Sequence, residues 1–152
     1  MAAMPLDLSA ILPQHGFMPP STAFQVAEMP MAQAVQAIRR GLPAGAFDGV
    51  ARALKMSADE LALKLGISVR TIRDQRKKSV RLSRENTEKL VRLARLHRQA
   101  RKVFTTDEAV SQWLASPAPA LDGVEPIDLL DTDTGAREVE SVLTGIAYGN
   151  VM

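Results

Sequence analysis

The chain has 152 residues, 46% of them hydrophobic, a formal net charge of +2 and no cysteine. That composition leaves room for one compact domain or two small ones around a buried core, and it excludes a disulfide framework, a thiolate metal site and a thiol nucleophile. No run approaches the roughly 18 apolar residues needed to span a bilayer, and the N-terminus lacks the basic and apolar regions of a secretory signal, so a cytoplasmic protein with no membrane role is expected.

The small net charge conceals a partition along the chain. Residues 51–104 hold 16 Lys/Arg against 5 Asp/Glu, whereas residues 105–152 hold 1 against 9. A basic block draws polyanions by neutralising phosphates and releasing counterions, while an adjoining acidic block must be kept off the same polyanion or face a different partner. The two halves are therefore read as one module for nucleic acid and one for protein.

Residues 1–30 carry five of the nine prolines (Pro5, Pro13, Pro19, Pro20 and Pro30). Each restricts helix at the position before it, which predicts an arm, although Leu6, Leu8, Ile11 and Leu12 could still dock on the body or on a second copy. Met31, Val35 and Ile38 repeat at helical spacing up to Arg40, and Gly41-Leu42-Pro43 supplies a stop. Phe47, Val50, Ala51 and Leu54 keep the 3.6 period and predict a second helix. Ser57 ahead of Asp59 and Glu60 has the form of an N-cap with first-turn carboxylates, opening a third helix to about Leu65.

Gly66 and Ile67 break that helix, and Ser68 caps a fourth from Val69 to about Lys77. Ser83 opens the longest helix, with Leu90, Leu93, Ala94, Ala100, Val103 and Phe104 on one stripe and Glu85–Lys89 and Glu88–Arg92 as i,i+4 pairs. Thr106, Asp107 and Glu108 start a helix running through Trp113 and Leu114 to the stop at Pro117–Pro119. Pro126 suits the first position of a turn over Ile127–Leu130, and Thr134 begins a last helix with Val139, Val142, Leu143 and Ile146 inward. No period-2 strand stands out, so the fold class predicted is all-α.

Within Glu60-Leu-Ala-Leu-Lys-Leu-Gly-Ile-Ser-Val-Arg-Thr-Ile, Ala62 lies four residues before Gly66 and Ile72 six after it. A helix-turn-helix needs that arrangement: a small residue where the helices cross, a glycine at the turn, and Ile67 with Ile72 plugging the space between. The second helix would present Arg70, Thr71, Arg73 and Asp74 near its start and Arg76, Lys77 and Lys78 at its exit. With Ser68 and Gln75 these form the candidate DNA-binding set. The alternative is a plain helical hairpin with a solvated charged face. Position 75, where such modules usually carry a further apolar plug, is Gln75; either the module is looser or this glutamine turns toward adenine.

Residues 38 to 149 resemble the Xre-type antitoxins that end in a Xre/MbcA/ParS toxin-binding domain. The resemblance rests on Gly41-Leu-Pro, Leu61-Ala-Leu-Lys-Leu-Gly-Ile-Ser with Arg70-Thr-Ile, and Leu90-Val-Arg-Leu-Ala-Arg-Leu. Its strongest part is the tail: Trp113-Leu, Ala120-Leu, Pro126-Ile-Asp-Leu-Leu-Asp-Thr, Gly135-Ala-Arg-Glu-Val-Glu and Ile146-Ala-Tyr-Gly. It implies a homodimeric antitoxin that binds its own operator and holds a co-transcribed toxin inactive, the usual toxin being a RES-domain protein that consumes NAD.

Three segments are expected: an arm over 1–30, a helix-turn-helix DNA-binding and dimerisation domain over 31–104, and a helical toxin-binding domain over 105–152. The arm and the Met31–Arg40 helix are the candidate dimer surfaces. Toxin contact is expected along the last helix and tail, at Arg137, Glu140, Thr144, Tyr148, Gly149, Asn150, Val151 and Met152. The acidic residues Asp128, Asp131, Asp133, Glu138 and Glu140 suggest an electropositive groove on the toxin.

The remaining chemistry-bearing residues have plainer readings. Asp128, Asp131 and Asp133 read as a solvated turn rather than a metal site because Leu129 and Leu130 interrupt them. His97 reads as a packed or bridging histidine, and Trp113 as core. With no phosphate loop, no Ser/His/Asp order and no histidine pair at metal spacing, neither catalysis nor a cofactor or metal is expected. The competing function is a stand-alone helix-turn-helix regulator or adaptor whose C-terminal domain binds something other than a toxin.

Overall fold

The computed structural model describes residues 22–149, and within them the fold is helical. The elements run α1 (Ala23–Ala27), α2 (Met31–Arg40), α3 (Ala46–Ala53), α4 (Ala58–Lys64), α5 (Val69–Lys78), α6 (Arg84–Phe104), α7 (Asp107–Leu114), short 3-10 turns at Pro119–Leu121 and Pro126–Leu129, and α8 (Asp133–Ala147). No strand occurs among the described residues; extended pairing is limited to the isolated bridges Pro43–Arg81 and Ala118–Val124.

Local chemistry sets these boundaries. Ser57 and Glu60 exchange hydrogen bonds in a capping box at the start of α4, and Ser68, Ser83 and Thr106 each accept the backbone N–H three residues on, satisfying donors that the first helical turn leaves orphaned. The last helix begins one residue earlier than its sequence suggests, because Thr132, not a later threonine, accepts from Gly135 N. Gly66 adopts φ +69° at the α4–α5 turn, a left-handed conformation costly for residues with a β-carbon.

The 21-residue α6 is the axis of the molecule and packs against α1, α2, α3, α7 and α8. Its buried face carries Leu90, Val91, Leu93, Ala94, Leu96 and Ala100. The segment Gly41–Leu42 is fastened beside its start: Leu82 N donates to Leu42 O at 2.7 Å, and Leu42 N donates to the buried Thr87 Oγ1 at 3.1 Å. A β-carbon at Gly41 would lie 2.3 Å from Leu82 O, so this approach requires glycine.

Two expectations are corrected here, and the buried face of α2 is defined. Residues 22–30 are part of the body, not an arm: Thr22 and Gln25 form a capping box, and α1 buries Ala23 and Val26 against its neighbours, chiefly α6. Residues 1–21 lie outside the described residues. Helix α2 buries Ala34, Ala37 and Ile38, whereas Met31 and Val35 are 80% and 37% exposed; close helix packing selects the alanine face. Trp113 is half-buried, stacked on Phe104 at a centroid distance of 5.5 Å, so it lids the core edge instead of filling the interior.

Candidate functional site

Helices α4 and α5 form the hairpin that the sequence predicts. Ala62 is fully buried where they meet, Ile67 N donates to Ala62 O at 2.8 Å across the turn, and Ile67 and Ile72 are buried beneath it. The far end of α5 is tied down as well, since Ser79 closes it at φ 56° and Ala44 N donates to Val80 O at 3.1 Å.

The nine residues expected to meet DNA divide into three groups. Arg70, Thr71, Asp74, Lys77 and Lys78 are exposed and lie on one outward stripe at 3.6 residues per turn. Arg73 and Arg76 lie on the flank and are engaged by carboxylates of neighbouring helices: Arg73 pairs with Asp59 through both Nε and Nη2, and Arg76 Nη2 lies 3.1 Å from Asp48 Oδ1. The hydrogen bond from Arg73 to Asp59, followed by the charge of that carboxylate, raises the guanidinium pKa above its ordinary value. Ser68 and Gln75 are structural: Ser68 Oγ caps the helix, accepting from Thr71 N at 3.2 Å, and the buried Gln75 Oε1 points into the body without a hydrogen-bond partner. Gln75 is half-buried and turns its oxygen inward, so that oxygen is not offered to a base.

The acidic block faces the basic block of its own chain. Lys64 of α4 pairs with Asp128, Lys55 with Glu108 at 3.3 Å, and Arg92 of α6 with Asp133 at 3.6 Å. The hydrogen bond to Asp128 is the main cause that raises the Lys64 pKa, and burial opposes it. Gly66 at the hairpin turn abuts Asp131, whose β-carbon would be 3.5 Å from a β-carbon at that glycine. The turn carboxylates therefore help dock the C-terminal module onto the hairpin. Asp128 and Asp133 are thus engaged within the chain, which helical periodicity could not show because it reports local neighbours only and Lys64–Asp128 spans 64 residues.

On α8, Arg137, Glu140, Thr144 and Tyr148 fall at spacings of three and four and share an exposed face. Tyr148 is 82% exposed. Arg137 Nε lies 2.9 Å from Asp133 Oδ2, an i,i+4 pair. Thr144 Oγ1 donates to Glu140 O at 3.0 Å and accepts from Gln99 Nε2 at 3.1 Å, so its hydroxyl helps hold α8 to α6. Gly149 closes the helix, its N–H donating to Ile146 O at 3.0 Å. Asn150, Val151 and Met152 lie outside the described residues.

Two carboxylates of functional interest escaped sequence reasoning in their pairing role. Asp48 and Asp59 hold the flank of α5, yet neither stands at a helical spacing from its arginine. His97 is buried edge-on to Phe24 at 5.4 Å, with Nε2 3.2 Å from Asp107 Oδ1 but off the axis of a full hydrogen bond. Burial is the main cause that lowers its pKa below the ordinary value. His97 is thus a packed and bridging histidine.

Known families divide the chain along similar lines. A family model described as the antitoxin Xre-like helix-turn-helix domain matches residues 33–95, and one described as the antitoxin Xre/MbcA/ParS C-terminal toxin-binding domain matches residues 99–149. The boundary between them falls inside α6, the helix that both halves pack against. The chain is also similar to a Prs ADP-ribosylating antitoxin from Sphingobium sp. (strain YBL2), with 50% identity over 46 residues. That stretch covers 30% of this chain and 29% of the relative.

Proposed function

The chain belongs to the Xre-like antitoxins with a Xre/MbcA/ParS toxin-binding domain, and from that premise we propose that it neutralises a cognate RES-domain toxin and, as a homodimer, represses its own operon. The observation that carries the toxin half is the continuous exposed face of α8, which leads from Arg137 to Tyr148. Tyrosine offers a large rigid contact at low entropic cost, and arginine offers a planar cation for a carboxylate. An NAD-consuming partner is supported by the Sphingobium relative, whose name couples an antitoxin with ADP-ribosylation.

Operator binding is assigned to the outward stripe of α5. Arg70, Thr71 and Asp74 would face base edges, and Lys77 and Lys78 would face phosphates. A dimer is required because one module of this size contacts too little DNA for a selective site, whereas two read half-sites about one helical turn apart. The exposed Met31 and Val35, which with Ile38 line a groove beside Arg84, Glu88 and Arg95 of α6, support that face of α2 as the dimer contact.

Co-expression of the full chain with the product of the adjacent gene tests the toxin half. Restored growth and co-purification are expected. Replacing Arg137 and Tyr148 together by Ala should abolish both, and unchanged binding by calorimetry would remove these two residues from the interface. A partner that is harmless when expressed alone would favour the regulator or adaptor reading instead.

A further inference from the structure

Helix α5 can read DNA only at a fixed rotation about its own axis, and the structure contains a device that sets this rotation. Ile72 and the Gln75 oxygen point inward, while Arg70, Thr71, Asp74, Lys77 and Lys78 point outward. Between these faces, on one flank only, stand Arg73 and Arg76. Arg73 engages Asp59 in the first turn of α4, and Arg76 engages Asp48 in the first turn of α3. Two guanidinium groups one helical turn apart are thus braced by two different helices.

Resting on the DNA-binding reading above, we propose that Asp59 and Asp48 are positioning residues for operator recognition. They hold Arg73 and Arg76 as struts, and the struts fix the roll of α5 so that Arg70, Thr71 and Asp74 meet base edges. The buried Ile72 sets the coarse rotation of α5, while the Gln75 oxygen beside it has no hydrogen-bond partner to refine it. A planar guanidinium against a carboxylate, by contrast, fixes direction as well as distance. Rotating α5 by one residue position would swing the outward stripe by about 100°. Base readout depends on side-chain direction far more steeply than phosphate attraction does. Losing a strut should therefore cost discrimination between sequences while sparing general affinity.

Simple electrostatics predicts the opposite pattern. Removing a carboxylate beside a DNA-facing helix adds one positive charge and should strengthen binding to every sequence alike.

The test uses the full chain and a randomised 20-base-pair duplex library, followed by titration of the selected duplex against a scrambled one. Asp59→Asn and Asp48→Asn should each lower the preference for the selected duplex about tenfold, with affinity for the scrambled duplex held or raised. Asp59→Glu should restore most of the preference. Arg73→Gln should match Asp59→Asn, and the double variant should be no worse than either single one, because both remove one strut.

Circular dichroism melting confirms that each variant is folded at the assay temperature. Should Asp59→Asn be unfolded there, Arg73→Gln carries the same test alone. If Asp59→Asn shifts both duplexes by the same factor, or Arg73→Gln loses preference while Asp59→Asn keeps it, the strut proposal falls and Arg73 is itself a base reader. If the wild type selects no sequence, the DNA-binding reading falls and the proposal falls with it.

Discussion

A β-carbon at Gly135 would lie 2.0 Å from the carbonyl oxygen of Leu129, with the carbonyl carbon at 2.9 Å. The first turn of α8 is therefore seated directly on the backbone of the preceding 3-10 turn, and the obstacle is main chain that cannot rotate away. Gly135→Ala should destabilise the protein by about 2–4 kcal/mol, at or above the usual cost of overpacking. Thermal unfolding measures this loss. A change below about 0.5 kcal/mol, the range of ordinary surface substitutions, would mean that the contact relaxes freely.

The buried Thr87 hydroxyl makes a second prediction. It receives the Leu42 N–H at 3.1 Å, where neither residue reaches solvent. Thr87→Val keeps the shape but orphans a buried donor, which costs about 1–3 kcal/mol. Thr87→Ser keeps the hydroxyl and should recover most of that loss. Equal melting temperatures for the Val and Ser variants would show that Leu42 N–H finds another partner.

Helix caps and the hairpin were legible in the sequence because both are written in residues a few positions apart: Ser57 with Glu60, Ser68 before Val69, Ala62 with Gly66 and Ile72. Thr22 and Gln25 form the same capping box, yet the surrounding prolines drew the reading toward an arm. The buried face of α2 is set by tertiary packing and not by hydrophobicity alone. Met31 and Val35 are more apolar than Ala34 and Ala37, but close approach of α1 and α6 favours small side chains. What sequence could not reach is the pairing of distant charges: Arg73 with Asp59, Arg76 with Asp48, Lys64 with Asp128. Charge blocks report how many ions a segment carries and not where their partners lie.

Acid sensitivity should arise from His97. It faces Phe24, Asp107 and Arg101, and burial holds its pKa below the ordinary 6.5. The unfolded chain binds a proton at this residue before the folded one does, so stability rises with pH between the folded and unfolded values. Above about pH 7 both states are neutral there and His97 adds no pH dependence; as pH falls through 6.5 the fold is progressively penalised. Melting temperatures should be level from pH 8 to 7 and decline below, with a flatter decline in His97→Gln. An identical slope in that variant would place the sensitivity elsewhere.

The α2 face gives a direct test of the homodimer. A positive charge at Val35 would enter the groove that Met31 and Ile38 line beside Arg39, Arg84 and Arg95, with Glu88 as its one carboxylate. Val35→Arg should convert a dimer to a monomer in light scattering and leave the melting temperature of the monomeric fold within a few degrees, because Val35 is already 37% exposed. A dimer that survives this change would place the contact outside the α2 face.

The charge partition finally predicts how steeply DNA binding depends on salt. Of the 16 Lys/Arg between residues 51 and 104, Lys55, Lys64, Arg73, Arg76, Arg92, Arg98 and Arg101 stand in ion pairs, and Arg81 and Lys89 are given to backbone carbonyls. Of the rest, Arg70, Lys77 and Lys78 lie on α5, whereas Arg84 and Arg95 line the groove beside α2. Each neutralised phosphate contributes about −0.9 to the slope of log affinity against log salt. Two protomers using two or three cations each should therefore give a slope of about −4 to −5, with the Lys77→Ala/Lys78→Ala protein losing most of it. A slope near −10 would take five or six cations from each protomer and would mean that basic residues beyond α5 also lie on DNA.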